Sequence, residues 1–148
     1  MSEAKSLYNE AILDHIKNAR NYRVADDATH KAHGINPLCG DTFDVFAKVE
    51  GDRIVDAAFQ CECCGISMAS ASIMTEAVAG KTIEQAKALY RNLEKMLRDP
   101  QAGSGVEAGQ LPVLELIKDF PSRVNCALLG WHTLDAALDG REETTLGG

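Results

Sequence analysis

The sequence predicts an α+β fold, because strand-like and helix-like patterns occupy separate stretches of the chain. Apolar and polar residues alternate in two neighbouring stretches between positions 43 and 59, as expected of strands that bury one face. Apolar residues recur at helical spacing before those strands and again after Gly65. This grouping is typical of a small sheet with helices packed against it.

Length, charge and composition restrict the function. A chain of 148 residues with 45% apolar residues suits one core, so we expect a single domain over residues 1–140 and a disordered tail over 141–148. The net charge of -7, without clusters of Lys and Arg, argues against nucleic acid as a partner. No apolar stretch is long enough to cross a bilayer and the first residues do not resemble a secretion signal. We therefore expect a cytoplasmic protein with no membrane partner.

The first elements along the chain are a helix and a hairpin. One apolar face at helical spacing predicts the helix, and it consists of Leu7, Ile12, Leu13 and Ile16. The polar, mixed stretch 24–34 is compatible with a short edge strand. The alternating stretches 43–49 and 54–59 predict strands that residues 50–53 join into an antiparallel hairpin.

Two helices are predicted after the hairpin. Small and apolar residues over 65–78 suit a helix that packs closely against its neighbours and ends before Gly80. Thr82 and Gln85 form a capping-box pattern at the start of a long exposed helix, which we expect to end near Arg98.

The last predicted helix carries a cysteine. Gly and Pro in residues 99–105 predict a loop, followed by helices over 111–120 and 121–138. Cys126 lies in the first turns of the second of these helices, where the helix dipole favours a thiolate. The sequence alone does not place it beside the other cysteines.

The other four of the five cysteines lie at the ends of the hairpin. Five is an odd number, and in a reducing cytosol cysteines are more often ligands, redox groups or buried residues than disulfides. Cys39 and Asp41 lie in a turn before the first strand, and residues 61–64 link the second strand to a helix. Because the strands are antiparallel, we expect Cys39 to neighbour one of the cysteines in 61–64.

Each candidate also has a purely structural explanation. Single cysteines in cytosolic proteins are more often packing residues than ligands, although the turns around Cys39 and Cys64 weaken that explanation. Asp41 suits a turn cap about as well as a ligand. The four histidines lack paired ligand spacing and are predicted to be surface or core groups; they are His15, His30, His33 and His132.

Three motifs resemble those of the IscU/SufU/NifU amino-terminal family. They occur in the family's order between about Leu7 and Leu138, and they are Asn36–Asp41, Phe59–Cys64 with the following 66–72, and Arg123–Trp131. The extra stretch over 99–119, and Asn125 where IscU-type scaffolds carry His, are similar to the SufU type. Residues 120–123 replace the Leu-Pro-Pro-Val-Lys segment that chaperones recognise in IscU, so we do not expect handover through that chaperone.

The resemblance implies both a fold and a site. The implied fold is a small antiparallel sheet of about three strands, packed on one side by helices. The implied site holds zinc, or alternatively iron in a 2Fe-2S cluster, through Cys39, Asp41, Cys64 and Cys126 at one exposed end. Three thiolates and a carboxylate suit tetrahedral zinc. Arg123 offsets part of their negative charge in one interpretation and is a solvated surface residue in the other.

The resemblance also implies a reaction and partners. Cys126 is the implied acceptor of persulfide sulfur from a SufS-like cysteine desulfurase, and apo iron-sulfur proteins are the implied recipients. One function is then a zinc-dependent sulfurtransferase, and the alternative is a scaffold that assembles and transfers a 2Fe-2S cluster. A purely structural zinc domain is disfavoured, because such sites use paired Cys-x-x-Cys ligands and no carboxylate.

Cys61 and Cys63 depart from the family pattern, which has glycines at these positions. They are either additional ligands, able to enlarge the site toward a cluster or a second metal, or exposed thiols without a metal role. The sequence does not decide between these alternatives.

Overall fold

The structure is a computed structural model that describes residues 9–99 and 111–146. Its strands are β1 (His30–Ile35), β2 (Thr42–Glu50), β3 (Arg53–Glu62) and β4 (Glu143–Thr145). They form one sheet in the order β3-β2-β1-β4. Its helices are α1 (Glu10–Lys17), α2 (Gly65–Val78), α3 (Ile83–Arg98) and α4 (Pro121–Leu138), with a 3-10 helix (Leu111–Asp119) before α4. The predicted α+β class is confirmed.

The predicted hairpin is the centre of the sheet. β2 and β3 pair antiparallel, with Phe43 opposite Cys61 and Val45 opposite Phe59. The connecting turn needs Gly51, whose φ of 66° is costly for other residues. Phe43, Val45 and Phe59 are fully buried, so this face of the sheet is the one that the helices cover.

Helix α4 packs unusually close to its neighbours. A Cβ atom added at Gly130 would lie 3.3 Å from both Ala71 in α2 and Phe43 in β2. A Cβ atom at Gly34 in β1 would overlap the side chain of Thr133. The small residues of α2 are largely buried, as predicted for a closely packed helix. These contacts set the middle of α4 against the end of the sheet where β2 begins.

Helix α3 begins at the predicted capping box. The Thr82 hydroxyl accepts from the Gln85 amide at 3.1 Å, and the Gln85 side chain accepts from the Thr82 amide at 2.9 Å. One face of the helix is buried through Ala86, Tyr90, Leu93, Met96 and Leu97. The far end reaches α4, where the Arg98 guanidinium donates to the Asn125 side-chain oxygen at 2.7 Å.

The sheet differs from the prediction at its edge. β1 is not an edge strand, because residues 143–145 pair with it in parallel and form the edge themselves. The prediction of a disordered tail over 141–148 is therefore wrong for 143–145, and the sheet has four strands instead of about three. The sequence did not indicate this strand, because Glu143–Thr145 has no alternating apolar pattern. Its strand conformation depends on pairing with β1.

Two predictions concern residues that lie partly outside the described ranges. The predicted loop over 99–105 is described only at Asp99, and the single domain over residues 1–140 stays a prediction. The stretch predicted as a short helix over 111–120 is 3-10 helix over 111–119. Across the described ranges, no helix combines the length and apolar composition needed to cross a bilayer.

Candidate metal centre

A tight loop between β1 and β2 holds Cys39 and Asp41. Its ends are joined by a hydrogen bond from the Asn36 amide to the Asp41 carbonyl at 2.9 Å, and the Gly40 amide donates to the Asn36 carbonyl at 2.8 Å. The buried Asn36 side chain accepts from the Leu38 amide at 3.0 Å. Gly40 has a φ of 79°, which lets the chain turn back toward β2. The loop leaves Cys39 exposed and Asp41 buried.

The start of α2 supplies Cys64 and Ser67. Cys64 is the N-cap residue, so it stands at the positive end of the helix dipole. The Ser67 hydroxyl lies 3.3 Å from the Cys64 sulfur and 2.9 Å from the Asp41 carboxylate. Ser67 therefore links the α2 cysteine to the loop carboxylate.

Helix α4 brings Cys126 to the same place. The buried Ser70 hydroxyl of α2 donates to the Ala127 carbonyl at 2.6 Å and accepts from the Trp131 indole at 3.2 Å. This pair of bonds fixes α4 against α2 one residue beyond Cys126, which is itself buried. The position that the sequence alone could not assign is thus set by helix packing.

Three of the four expected ligand groups converge within the described ranges. One ligand atom each from Cys39, Asp41 and Cys126 lies within 4.8 Å of the other two. Cys64 joins them through a hydrogen bond with the Cys126 thiol and through Ser67. The structure therefore brings together all four residues that the family resemblance implied.

The pKa values of the neighbouring Cys64 and Cys126 thiols are shifted in opposite directions. The hydrogen bond donated by Cys126, supported by Ser67, lowers the pKa of Cys64 even though burial and Asp41 oppose this. The same hydrogen bond raises the pKa of Cys126, and burial and the negative charges of Cys64, Cys39 and Asp41 raise it further. Cys64 is thus the first of the pair to become a thiolate.

This result corrects one expectation. The helix position of Cys126 predicted a favoured thiolate, but its pKa is raised because the hydrogen bond with Cys64, burial and neighbouring anionic groups outweigh the dipole of α4. The dipole argument applies better to Cys64, which stands at the N-terminus of α2.

The donor set fits a divalent cation. A tetrahedral zinc with bonds of about 2.3 Å to sulfur sets its ligand atoms roughly 3.8 Å apart, and the three converging ligand atoms lie within 4.8 Å of one another. The charges that disfavour a thiolate at Cys126 are those that a cation would offset. Cys39, Asp41, Cys64 and Cys126 would hold such an ion.

Cys61 and Cys63 are placed differently from both predictions. A disulfide joins them, so in this structure neither sulfur is a free thiol or a ligand. The sequence favoured ligands, redox groups or buried residues over disulfides for the cysteines, and these two are the exception. Cys61 lies at the end of β3 and Cys63 directly after it, and their Cα atoms are 5.5 Å apart, within the range that a disulfide spans.

Arg123 and the histidines are the other residues that the sequence analysis considered. Arg123 is half-buried in the first turn of α4, and its role in offsetting charge stays a prediction. His15 is fully buried, with its Nδ1 atom 2.6 Å from the Ser72 hydroxyl. The exposed His33 pairs with Asp44, and His132 lies between Tyr90 and Thr144. No histidine among the described residues belongs to the ligand group.

Two residues near the centre were not predicted. Ser67 bridges Asp41 and Cys64, and its position three residues after Cys64 on one helix was a usable signal. Arg98 holds Asn125, the residue before Cys126. Nothing in the local sequence indicates that second contact, because it joins two helices across a long connection.

Comparison with known proteins identifies the family. A family model described as the NifU-like N terminal domain matches residues 7–141. The chain belongs to that family. The predicted IscU/SufU/NifU resemblance is thereby confirmed.

Individual relatives of the NifU-like family cover nearly the whole chain. A protein of Bacillus subtilis named zinc-dependent sulfurtransferase SufU is 37% identical, over 93% of this chain and 92% of the relative. A protein of Thermotoga maritima named iron-sulfur cluster assembly scaffold protein IscU is 39% identical, over 90% and 94%.

Solved structures agree with the fold. A crystal structure titled as a putative iron-sulfur cluster assembly scaffold protein for the SUF system, from Fervidobacterium islandicum, is 34% identical. It has a TM-score of 0.75 over 89% of this chain and 96% of its own. An N-terminal NifU-like protein from Brucella abortus, at 23% identity and a TM-score of 0.83, covers 93% and 96% and shows the same fold.

Proposed function

We propose that the chain works in iron-sulfur cluster biogenesis as a zinc-binding protein that accepts sulfur from a cysteine desulfurase. The observation that carries the proposal is the convergence of Cys39, Asp41 and Cys126 within 4.8 Å, with Cys64 hydrogen-bonded to Cys126. The relative from Bacillus subtilis, named a zinc-dependent sulfurtransferase, supports it. A SufS-like desulfurase, apo iron-sulfur recipients and a cytoplasmic location complete the proposal.

The hydrogen bond between the two thiols suggests how sulfur is accepted. The sulfur of Cys126 attacks the terminal sulfur of the desulfurase persulfide, so a new S–S bond forms on Cys126 and the bond on the desulfurase breaks. The Cys64 thiolate accepts a hydrogen bond from Cys126 and so increases the electron density on the attacking sulfur. Its lowered pKa makes Cys64 a weak base, however, and the Cys126 proton passes to the desulfurase thiolate that is released. The desulfurase cysteine leaves as a thiolate. Bound zinc would supply positive charge that stabilises thiolates at the centre.

Access to Cys126 depends on the loop that carries Cys39. Only 5% of the surface of Cys126 is exposed, whereas Cys39 is exposed and the neighbouring Leu38 is 75% exposed. Cys39 and Asp41 of the 36–41 loop have ligand atoms within 4.8 Å of that of Cys126, so the loop is among the elements that an incoming persulfide must pass. The apolar Leu38 at its tip is the first side chain that the incoming partner would meet.

The alternative function is a scaffold that assembles and transfers a 2Fe-2S cluster. The IscU-named relative from Thermotoga maritima favours it, since its identity to this chain is as high as that of the sulfurtransferase relative. Three thiols at one site also suit iron-sulfur ligation.

The deciding experiment measures metal and desulfurase turnover. The protein is purified without oxygen, its metal is determined, and it is added to a cysteine desulfurase with cysteine. We expect bound zinc and faster turnover with the wild-type chain, and no stimulation with Cys126→Ser. Asp41→Asn should weaken zinc binding, whereas the matched control Asp44→Asn, whose side chain pairs with His33, should not.

The opposite result would favour the scaffold. Absence of stimulation, together with a reconstituted cluster that passes to an apo-ferredoxin, would overturn the sulfurtransferase proposal.

A further inference from the structure

Cys61 and Cys63 form a second sulfur group that the proposed sulfur acceptance does not use. A disulfide joins them, and both are half-buried against the core. Cys63 directly precedes Cys64, whose sulfur contacts that of Cys126. The pair therefore belongs to the same short segment that supplies the metal centre.

The strand register places this pair at the end of the sheet that carries the centre. Phe43 pairs with Cys61, and the last paired residues are Thr42 and Glu62. Asp41 directly precedes β2 and Cys63 directly follows β3, so both residues lie next to that last pair at the same end of the hairpin. Cys63 consequently lies beside a ligand of the proposed centre.

We propose that the Cys61–Cys63 pair is an internal two-electron reductant that converts the sulfane sulfur on Cys126 to sulfide. The inference rests on the proposed function, because the desulfurase supplies that sulfur. Sulfane sulfur is more oxidised by two electrons than the sulfide of an iron-sulfur cluster, and oxidation of two thiols to one disulfide releases two electrons. The structure shows the pair in the oxidised form that this reaction produces.

The chemistry consists of two exchanges. The Cys63 thiolate attacks the terminal sulfur of the Cys126 persulfide, so the S–S bond on Cys126 breaks and Cys126 becomes a thiol again. The Cys61 thiolate then attacks the inner sulfur of the Cys63 persulfide, which forms the Cys61–Cys63 disulfide and expels hydrosulfide. Two thiol protons balance the products, Cys126 thiol and hydrogen sulfide. A dithiol from solution reduces the disulfide for the next turnover.

The test follows sulfide release in a single turnover without added reductant. Reduced, desalted protein is mixed anaerobically with a desulfurase that already carries its persulfide. Sulfide is measured, and the thiols are alkylated and assigned by mass spectrometry. The wild-type chain should release about one sulfide for each persulfide received and should lose the alkylatable thiols of Cys61 and Cys63 together.

Three variants separate the steps. The double variants Cys61→Gly/Cys63→Gly and Cys61→Ser/Cys63→Ser should hold the persulfide on Cys126 until dithiothreitol is added. The Gly pair matches the family pattern, and the Ser pair keeps the side-chain size should Gly perturb the strand. The single variant Cys61→Ser should stop after the first exchange, with the persulfide on Cys63.

Equal sulfide release from the wild type and both double variants would overturn the inference. A wild-type chain that keeps its persulfide beside two free thiols would do the same. If the desulfurase transfers sulfur to neither the wild type nor the variants, the proposed function fails instead. The same proteins are then given cysteine persulfide as the sulfur donor. Sulfide release must then still oxidise the pair and slow in Cys126→Ser, otherwise the inference fails independently.

Discussion

Ser67 has one hydroxyl hydrogen and two acceptors within reach. The Asp41 carboxylate is 2.9 Å from its oxygen and the Cys64 sulfur is 3.3 Å from it, but a hydroxyl can donate to only one acceptor at a time. The choice depends on which neighbour carries more negative charge. Ser67 therefore orients whichever ligand the centre leaves most anionic, without being a ligand itself.

Replacing this hydroxyl should weaken zinc binding. Ser67→Ala removes the hydrogen bond to Asp41 and the contact with Cys64, and partners of this kind typically contribute about 10–100-fold to metal affinity. We expect a loss in that range in a competition titration with a zinc chelator. Ser122→Ala, at an exposed position in the first turn of α4, is the control and should bind as the wild type does. Equal affinities in the two variants would show that Ser67 has no influence on the centre.

The unequal pKa values of Cys64 and Cys126 predict a pH-dependent thiolate. Because the Cys64 pKa is lowered, chiefly by the Cys126 hydrogen bond, the metal-free protein keeps a thiolate below the ordinary thiol pKa of about 8.5. Its ultraviolet thiolate absorbance should persist at pH 7 and disappear only as the pH falls further. The measurement leaves the Cys61–Cys63 pair oxidised.

Two variants test the assignment of this thiolate. Cys64→Ser should abolish the absorbance at pH 7. Cys126→Ala removes the donated hydrogen bond, so the Cys64 pKa should rise and the absorbance at pH 7 should fall. An unchanged titration in Cys126→Ala would mean that the hydrogen bond does not lower the Cys64 pKa.

At the scale of elements, the site depends on how closely α4 approaches β1 and α2. Local patterns predicted the helix over 121–138, because the spacing of its apolar residues is encoded within a few residues. Its packing partners are encoded across the whole chain, so the contact of Gly34 with Thr133 could not be predicted. The same limit applies to Cys126, whose helix was predicted and whose neighbours were not.

A methyl group at Gly34 should separate these elements. In Gly34→Ala the new Cβ would overlap the side chain of Thr133, whose hydroxyl donates to the Leu129 carbonyl at 2.7 Å. We expect the free energy of unfolding in a denaturant titration to fall by about 1–3 kcal/mol. Thr133→Ala should relieve the overlap, so the double variant should be more stable than the sum of the single effects predicts. Simple additivity would mean that β1 and α4 do not meet there.

At the scale of the whole molecule, the sequence predicts the elements better than the way the chain closes its sheet. The hairpin was predicted because its alternation and its Gly51 turn are local. The edge was not, because β4 is short and polar and pairs with a strand from the other end of the chain. The Cys61–Cys63 disulfide was not predicted for another reason, because a reducing cytosol argues against disulfides.

The edge strand β4 should contribute to the stability of the fold and keep the protein from associating with a second copy. Residues after β4 and before it anchor the edge, as the His33 amide donates to the Glu142 carbonyl at 2.8 Å and the Leu146 amide to the Ile35 carbonyl at 3.1 Å. Thr144 adds a side-chain bond to His132 at 2.8 Å. Hydrogen bonds of this kind contribute about 0.5–1.5 kcal/mol each. Loss of β4 would also leave β1 as an unpaired edge.

Truncation of residues 142–148 should therefore lower the free energy of unfolding by about 1–3 kcal/mol in a denaturant titration, because these bonds are lost together. It should also produce concentration-dependent association in sedimentation, because the amides and carbonyls of β1 become available to a second chain. Truncation of only Gly147 and Gly148 is the control, and it should leave both measurements unchanged. If the two truncated chains unfold at the same denaturant concentration and both stay monomeric, β4 does not close the sheet in solution.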